Sequence, residues 1–332
     1  MKCAVVILNW NGRVLLEQFL PTVLKYSKEL AEIIVVDNAS TDDSVSYIQR
    51  HFNSEVRLIE HEQNWGYAGG YNKSLSQLKH EYFILLNSDV EVTANWLSPL
   101  ITALQQEQVA AVQPKILDFK RKSHFEYAGA AGGFLDALGY PFCRGRLFDT
   151  LEEDEGQYDD LVDLHWASGA CLAVKRKAYE EVGGLDPLFF AHQEEIDLCW
   201  RLRNATYTIR FAPDSTVYHV GGATLDAMHP KKTFLNFRNS LFSLLKNKKG
   251  FGVWAILLVR LILDGLAAVR FLVQGKGKHF AAVLQAHLSF YKHLPYLLKR
   301  RRKISKLALN HPVKSIVFSY FVLKIRRFKN LV

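Results

Sequence analysis

The residues best suited to chemistry in this chain stand where apolar runs stop. Asp37 closes the run 32–36. A carboxylate there accepts a hydrogen bond from the ring N–H of a uracil or thymine as readily as it caps a helix. Asn87-Ser88-Asp89 closes the run 82–86. Such a carboxylate suits Mg²⁺ or Mn²⁺ held against phosphate oxygens, because hard cations take oxygen ligands and keep substrate phosphates as partners; an Asx-turn is the plainer alternative. His219, in Val217-Tyr218-His219-Val220-Gly221-Gly222, suits the same cation, a diphosphate or a structural role, and the glycine pair lets backbone approach a ligand. Glu194 and Glu195 open a helix in which Asp197 and Arg201 are four apart and pair. Carboxylates in a first turn are held ionised by the helix dipole, so one of them could take a proton from a hydroxyl; first-turn acidity is also ordinary helix chemistry.

The elements that must position these groups alternate. Strands are expected over 2–8, 32–36, 56–60 and 82–86, with a helix over 13–26 and another capped by Ser40 or Thr41, carrying Asp42 and Asp43 in its first turn. That is the pattern of βα units and a mainly parallel sheet. Each strand ends in polar residues: Asn9 and Asn11, Asp37 and Asn38, Asn64, and Asn87 with Asp89. Ligands of open parallel sheets collect at such carboxyl ends, so these residues mark a crevice. Residues 119–163, rich in Gly and aromatics with an acidic stretch at 152–160, read as a long insertion or lid of solvated surface. Order returns with Trp166 to Ala170, a helix near 177–182, the acidic helix at 194–202 and a strand ending at His219.

Charge divides the 332 residues in two. Residues 231–332 hold 22 Lys/Arg and one acid, Asp264, for +21; the other 230 carry 20 bases and 32 acids, for −12. Such a basic tail points to an anionic membrane surface, and no nucleic-acid-binding motif accompanies it, so nucleic acid is not an expected partner. Its apolar runs are cut by Arg260, Asp264 and Arg270, and none reaches the roughly 18–20 residues that span a bilayer. Amphipathic helices bearing Trp254, Phe271, Phe280, Phe290 and Tyr291, with the basic run 299–303, look interfacial, although a bundle packed on the body is the alternative. Apolar residues make up 49%, which excludes wholesale disorder. Cys3, Cys143, Cys171 and Cys199 form no CxxC pair, which argues against a zinc or disulfide framework and fits a reducing compartment. The N-terminus shows no signal-peptide architecture, and no GxGxxG follows the first strand, which argues against a dinucleotide oxidoreductase.

The order of the strings carries a resemblance. Val6-Ile7-Leu8-Asn9-Trp10-Asn11-Gly12, Val36 to Asp42, Asn64-Trp65-Gly66-Tyr67-Ala68-Gly69-Gly70, Asn87-Ser88-Asp89-Val90, Gly183-Gly184-Leu185-Asp186, Glu194 to Arg201 and His219-Val220-Gly221-Gly222 together resemble family 2 glycosyltransferases. Within that family they are most similar to rhamnosyltransferase-type members of bacterial polysaccharide assembly, over roughly residues 1–240. The resemblance implies an α/β GT-A fold, Rossmann-like with a mainly parallel sheet, over 1–240, beside a basic amphipathic helical region at 241–332. It also implies a nucleotide-diphospho-sugar donor, Mg²⁺ or Mn²⁺, and inversion at the anomeric carbon. By position, Asp37 looks like the base-binding aspartate, with Asn9, Asn11, Asn38, Asn64, Gly66, Asn87 and Ser88 on the donor side. Asp89 and His219 look like the metal or phosphate ligands, Glu195 like the catalytic base with Glu194 its rival, and Trp166 and Gly169 like the acceptor side. Two departures stand out: Asn87 replaces the usual first Asp of the metal triplet, and the base is Glu where Asp is commoner.

The expected function is inverting transfer of a sugar, rhamnose among the candidates, from a dTDP or UDP donor to a saccharide or lipid-linked saccharide in cell-surface polysaccharide synthesis. The expected place is cytoplasmic, at the inner face of the cell membrane. Two alternatives stay open: a polyprenyl phosphate as direct acceptor, and a non-catalytic nucleotide-sugar-binding scaffold, against which the presence of both Asp89 and Glu195 speaks.

Overall fold

The computed structural model describes residues 2–221, 229–301 and 311–331. The chain opens with β1 (Cys3–Asn9), α1 (Arg13–Ser27), β2 (Ala31–Asp37), α2 (Ser44–His51), β3 (Arg57–Glu60), α3 (Gly66–Leu75) and β4 (Tyr82–Asn87). The central strands are continuous apolar runs because both faces are covered: Ala4, Val5, Val6, Ile34, Val35, Ile84 and Leu85 are all buried. β1 pairs in parallel with β2 and β4, in a register that sets Asn9 beside Asp37 and Asn87 beside Leu8. Three polar strand ends therefore finish on one edge.

β5 (Val90–Val92), α4 (Leu97–Gln105) and β6 (Val109–Asp118) follow; further on come β7 (Gly133–Leu135), β8 (Pro141–Cys143), β9 (Arg146–Leu147), β10 (Thr150–Leu151), β11 (Asp163–Leu164), β12 (Cys171–Lys175), α5 (Arg176–Glu181), α6 (Glu194–Asn204) and β13 (Thr208–His219). Among the described residues the main sheet runs β11-β13-β6-β12-β4-β1-β2-β3, with β5 on β13. β12 lies antiparallel between β4 and β6, while β13 is parallel to β6. His219 therefore emerges on the same edge as Asn9 and Asp37. This is the mixed, mostly parallel sheet of a GT-A fold.

Helices α7 (Pro230–Asn247), α8 (Gly252–Val273), α9 (Gly277–Lys292) and α10 (Leu294–Arg300) complete the fold. The change of composition near residue 240 falls inside α7, whose residues 239–247 are all buried. Leu241, Phe242, Leu244 and Leu245 share one apolar cluster with Leu198, Leu172 and Val6. No helix among the described residues is long and apolar enough to cross a membrane.

Several local expectations need correction. Asp42 and Asp43 precede α2 rather than filling its first turn, because the Asp42 carboxylate accepts from the Arg13 amide at 3.0 Å and the Ser44 amide at 3.1 Å. Neither Ser40 nor Thr41 is the cap; Asp43 holds that place. The segment 119–163 is solvated surface only at its ends; its middle is not. It builds a four-stranded antiparallel sheet, β10-β9-β8-β7, around buried Phe125, Phe134, Phe142 and Leu147. Its acidic stretch is partly paired, Lys115 meeting Asp154 at 2.8 Å and Asp159 at 2.5 Å and Arg144 meeting Asp160 at 3.0 Å, while Glu153 and Glu155 remain exposed as expected. Arg260 and Asp264, which interrupt the apolar runs of the tail, point inward, and Phe290 is buried rather than interfacial.

Candidate active site

The β1–β2 rim is a lattice of side-chain amides. Asn9 donates to Asp37 Oδ1 at 3.1 Å, and the Ser40 amide donates to Asp37 Oδ2 at 2.8 Å. Each carboxylate oxygen keeps a second lone pair for a ligand. Asn38 spans the next gap, donating to Asn64 Oδ1 at 3.0 Å and accepting from the Trp65 amide at 3.1 Å. Asn64 also accepts from the Gly66 amide at 2.8 Å. Asn11 adopts φ 51° and accepts from the Thr41 amide at 2.7 Å. A Cβ on Gly12 would stand 2.4 Å from Asn9 Oδ1 and 3.5 Å from Ser88 Oγ, so the chain passes closely over the β1 end there. Asn9, Asp37 and Asn38 are buried and act first as internal ties; Asn11 is exposed, and Asn64, Asn87 and Ser88 lie on the same edge.

The β13 end supplies the second cluster. Antiparallel pairing of β5 with β13 sets Val90 against His219, and the Val220 amide donates to Asp89 O at 3.0 Å. That register delivers the Asp89 carboxylate to His219 Nε2 at 3.1 Å. The other ring nitrogen, Nδ1, lies 3.3 Å from Glu126 Oε1. Burial opposes the Asp89 charge, but the hydrogen bond from His219 and its charge hold the carboxyl below its ordinary range. Burial likewise opposes charge on His219, and the two flanking carboxylates reverse it, raising the ring to about 10. Gly221 reaches φ 70°, where a Cβ would lie 3.0 Å from Glu126 Oε1; Gly222 lies outside the described residues.

Once a cation displaces the proton that the two carboxylates hold on His219, the donor set is an ionised carboxylate beside a neutral imidazole, which fits a hard or borderline divalent cation. Among the described residues no three His, Cys, Asp or Glu side chains are arranged to hold a metal by themselves. A cation completed by substrate phosphates needs only one or two protein ligands.

The α6 rim is the reactive one. Phe190, His192 and Gln193 all take positive φ, 64°, 67° and 71°, immediately before Glu194. Three non-glycine residues in the left-handed region store strain that the surroundings must hold. Buried Asn239 of α7 holds it: Nδ2 donates to Phe189 O at 3.0 Å, Ala191 O at 3.0 Å and His192 O at 2.7 Å. Gly66, at φ 68°, has no room for a Cβ beside the Phe190 ring, and the Tyr67 amide donates to Phe190 O at 3.0 Å. Tyr67 Oη donates to Gly169 O at 2.7 Å, and a Cβ on Gly169 would lie 3.9 Å from Glu195 Cβ. Gly66, Gly169, Tyr67 and Glu195 thus form one continuous wall.

Within that wall the two glutamates differ. Glu194 is 4% exposed with Oε2 unpartnered; burial, then the charge of Glu195, push its carboxyl well above the ordinary value. Glu195 is less buried, and burial pushes it up to about 7 against the restraining backbone N–H groups of the helix start. Two residues on, Asp197 goes the other way. Burial opposes its charge, but Lys246 and Arg201 outweigh that and hold it at about 2. Its contacts are Arg201 Nε at 2.9 Å, as the four-residue spacing requires, Lys246 Nζ at 3.0 Å and Asn247 Nδ2 at 2.8 Å.

One expected residue leaves the site. Trp166 is 3% exposed, donates its indole N–H to Phe134 O at 2.9 Å, and packs where a Cβ on Gly133 would stand 2.1 Å from its ring. It pins the small sheet to the core and lines no crevice. Three residues were missed: Glu126, Asn239 and Lys246. Glu126 sits in an irregular segment and carries no periodic signal. Asn239, Ser243 and Asn247 recur every four residues on the buried face of α7, and that polar stripe was a readable signal.

The carboxyl edge that carries Asp37 and Asp89 also carries Gly169, since the Asn87 amide donates to Ala170 O at 3.0 Å, and Glu195 packs beside Gly169; this is the arrangement of a nucleotide-sugar transferase of the GT-A fold. The chain belongs to glycosyl transferase family 2, whose profile matches residues 4–183. It is 24% identical over 294 residues to the low-salt glycan biosynthesis hexosyltransferase Agl10 of Haloferax volcanii, covering 85% of this chain and 88% of that one. It is 27% identical over 231 residues to the N-acetylglucosaminyl-diphospho-decaprenol L-rhamnosyltransferase of Mycobacterium tuberculosis, covering 65% and 75%. Among solved structures, the mannosyltransferase PcManGT of Pyrobaculum calidifontis, in complex with GDP-Man and Mn²⁺, aligns with TM-score 0.55 at 16% identity over 87% of each chain.

Proposed function

We propose that this glycosyltransferase inverts the anomeric carbon of its donor, moving a sugar from dTDP or UDP to a saccharide or lipid-linked saccharide hydroxyl in cell-surface glycan synthesis. Rhamnose is the leading candidate for that sugar. The reading is supported by the similarity to a rhamnosyltransferase acting on a diphospho-decaprenol-linked sugar. We place the reaction at the cytoplasmic face of an anionic membrane.

The observation that carries the mechanism is Glu195: a partly exposed carboxylate at a helix start, raised to about 7, beside Gly169 and Tyr67. A base is most effective when its pKa lies near the working pH. Glu195 takes the proton of the acceptor hydroxyl as that oxygen attacks the face of the sugar opposite the departing nucleoside diphosphate. Glu194, buried with Oε2 unpartnered, has its carboxyl pushed well above the ordinary value by burial and by the charge of Glu195, and stands beside the base as its neighbour. Asp37 accepts from the pyrimidine ring N–H, in the cradle tied by Asn9, Asn38 and Asn64. Asp89 and His219 would hold Mg²⁺ or Mn²⁺, which supplies charge neutralisation to the leaving diphosphate. Glu126, against the far ring nitrogen of His219, orients that ring.

Calorimetric titration with UDP, dTDP and GDP, each with and without Mn²⁺, tests the donor side. Metal-dependent binding of UDP or dTDP is expected; no nucleotide binding in the presence of metal would bring the scaffold alternative forward.

A further inference from the structure

Helix α8 is built inside out. Its buried stripe, Val253, Leu257, Arg260, Asp264 and Ala268, contains both of its mid-helix charges. Arg260 donates to Leu138 O at 3.0 Å and Ser240 Oγ at 2.7 Å and lies 3.6 Å over the Tyr140 ring. Asp264 accepts from Tyr140 Oη at 3.1 Å and faces His287 at 3.4 Å. With the charges turned inward, the outer stripe is wholly apolar: Phe251, Trp254, Leu258, Ile262, Leu266 and Val269 recur every three or four residues. Phe251 is 93% exposed and Leu258 and Leu266 are each 62% exposed, whereas a water-facing helix carries its polar residues on that side. From Phe251 to Val269 the stripe runs about 27 Å, and no contiguous apolar patch of that length is usual on a freely soluble surface.

The rim identifies what covers it. Arg270, Lys278, Lys292, Lys299 and Arg300 are exposed around these helices. The single acid of residues 231–332, Asp264, is buried, so every exposed charge described in that stretch is positive. A second copy of this chain would set one cationic rim against another, which disfavours self-association. An apolar stripe on a helical region whose described exposed charges are all positive matches the acyl–headgroup boundary of an anionic bilayer.

We infer that α8 lies in the plane of an anionic membrane with its Phe251–Val269 stripe inserted, and that this stripe, rather than the basic run 299–303, provides most of the hold. Arg302 and Lys303 of that run lie outside the described residues. The inference rests on the membrane placement proposed above and adds the element and mode of contact.

The test is sedimentation of the full chain with phosphatidylcholine vesicles, with and without phosphatidylglycerol, at low and high salt. Wild type is expected to bind the anionic vesicles and to retain a salt-resistant fraction. The triple variant Leu258→Glu, Ile262→Glu, Leu266→Glu is expected to bind at least about tenfold more weakly, with nucleotide binding and the thermal midpoint unchanged. Brominated lipid should quench Trp254, and Trp254→Phe should lose that share of the quenching. Lys299→Glu with Arg300→Glu should weaken binding less than the triple variant does. Wild-type vesicle binding that survives the triple variant but vanishes with the charge reversals would overturn the inserted stripe and leave membrane placement standing. No wild-type binding to any vesicle would overturn both. A stable dimer in solution that the triple variant dissociates would make a second copy the occupant and overturn the inference.

Discussion

On the β1–β2 rim, Asn9, Asp37, Asn38 and Asn64 hold one another by side-chain hydrogen bonds, with the carboxylate of Asp37 accepting one on each oxygen. On the α6 rim, three residues at positive φ lead into two glutamates, one with an unpartnered oxygen and both with raised pKa values. The first rim is tied by its own side chains, with Asn9 Oδ1 left for a ligand; the second is held in tension by Asn239 from a different helix. The contrast separates binding from reaction: a cradle works best with its own hydrogen bonds already made, whereas a base must keep affinity for a proton in reserve.

Removing the reactive group should break the contrast most severely. Glu195→Gln is expected to lower kcat by about 10² to 10⁴-fold, with nucleotide affinity by calorimetry unchanged. Equal loss of both would place Glu195 on the binding side. Releasing the strained loop comes next. Asn239→Ala is expected to lower kcat by about 10 to 100-fold while leaving nucleotide affinity intact. A kcat close to wild type would mean the loop keeps its shape without the clamp.

The remaining effects are on stability. Lys246→Met leaves Asp186 and Asp197 buried without their shared cation, and urea unfolding should show a loss of about 3 to 5 kcal/mol. Glu194→Gln acts in the opposite direction and more weakly. The folded state holds the Glu194 proton to higher pH than the unfolded chain, so stability falls as pH rises above the ordinary carboxyl range. By urea unfolding the glutamine variant should be more stable than wild type at pH 8, and the difference should shrink as pH falls toward 4. A wild-type advantage at pH 8 would mean that Glu194 has an ionic partner.

Much of the β1–β2 rim was legible, because continuous apolar runs ending in Asn or Asp mark both the strand and its ligand-facing end. β1, β2 and β4 begin and end within a residue or two of the apolar runs. The small sheet was not legible: strands of two or three residues hold no measurable period, Gly133 lies within a strand where it packs on Trp166, and Gly145 serves both the β8–β9 turn and close packing on Phe125. Trp166 beside Gly169 in sequence suggested a shared role, yet one faces the core and the other the site. Arg260 and Asp264 misled in the reverse sense, since charges inside a helix are ordinarily read as its outer face. Tertiary partners on Tyr140 and Ser240, far away in sequence, decided that orientation.

The most direct test of Glu195 as the proton acceptor is the pH dependence of kcat/KM for the wild-type enzyme. The base must be ionised to act, so activity should climb with pH along a single-proton limb with its midpoint at about 7, where burial places the Glu195 carboxyl. A profile flat from pH 5.5 to 8.5, in about the range where such a carboxyl titrates, would contradict the account and move the base elsewhere.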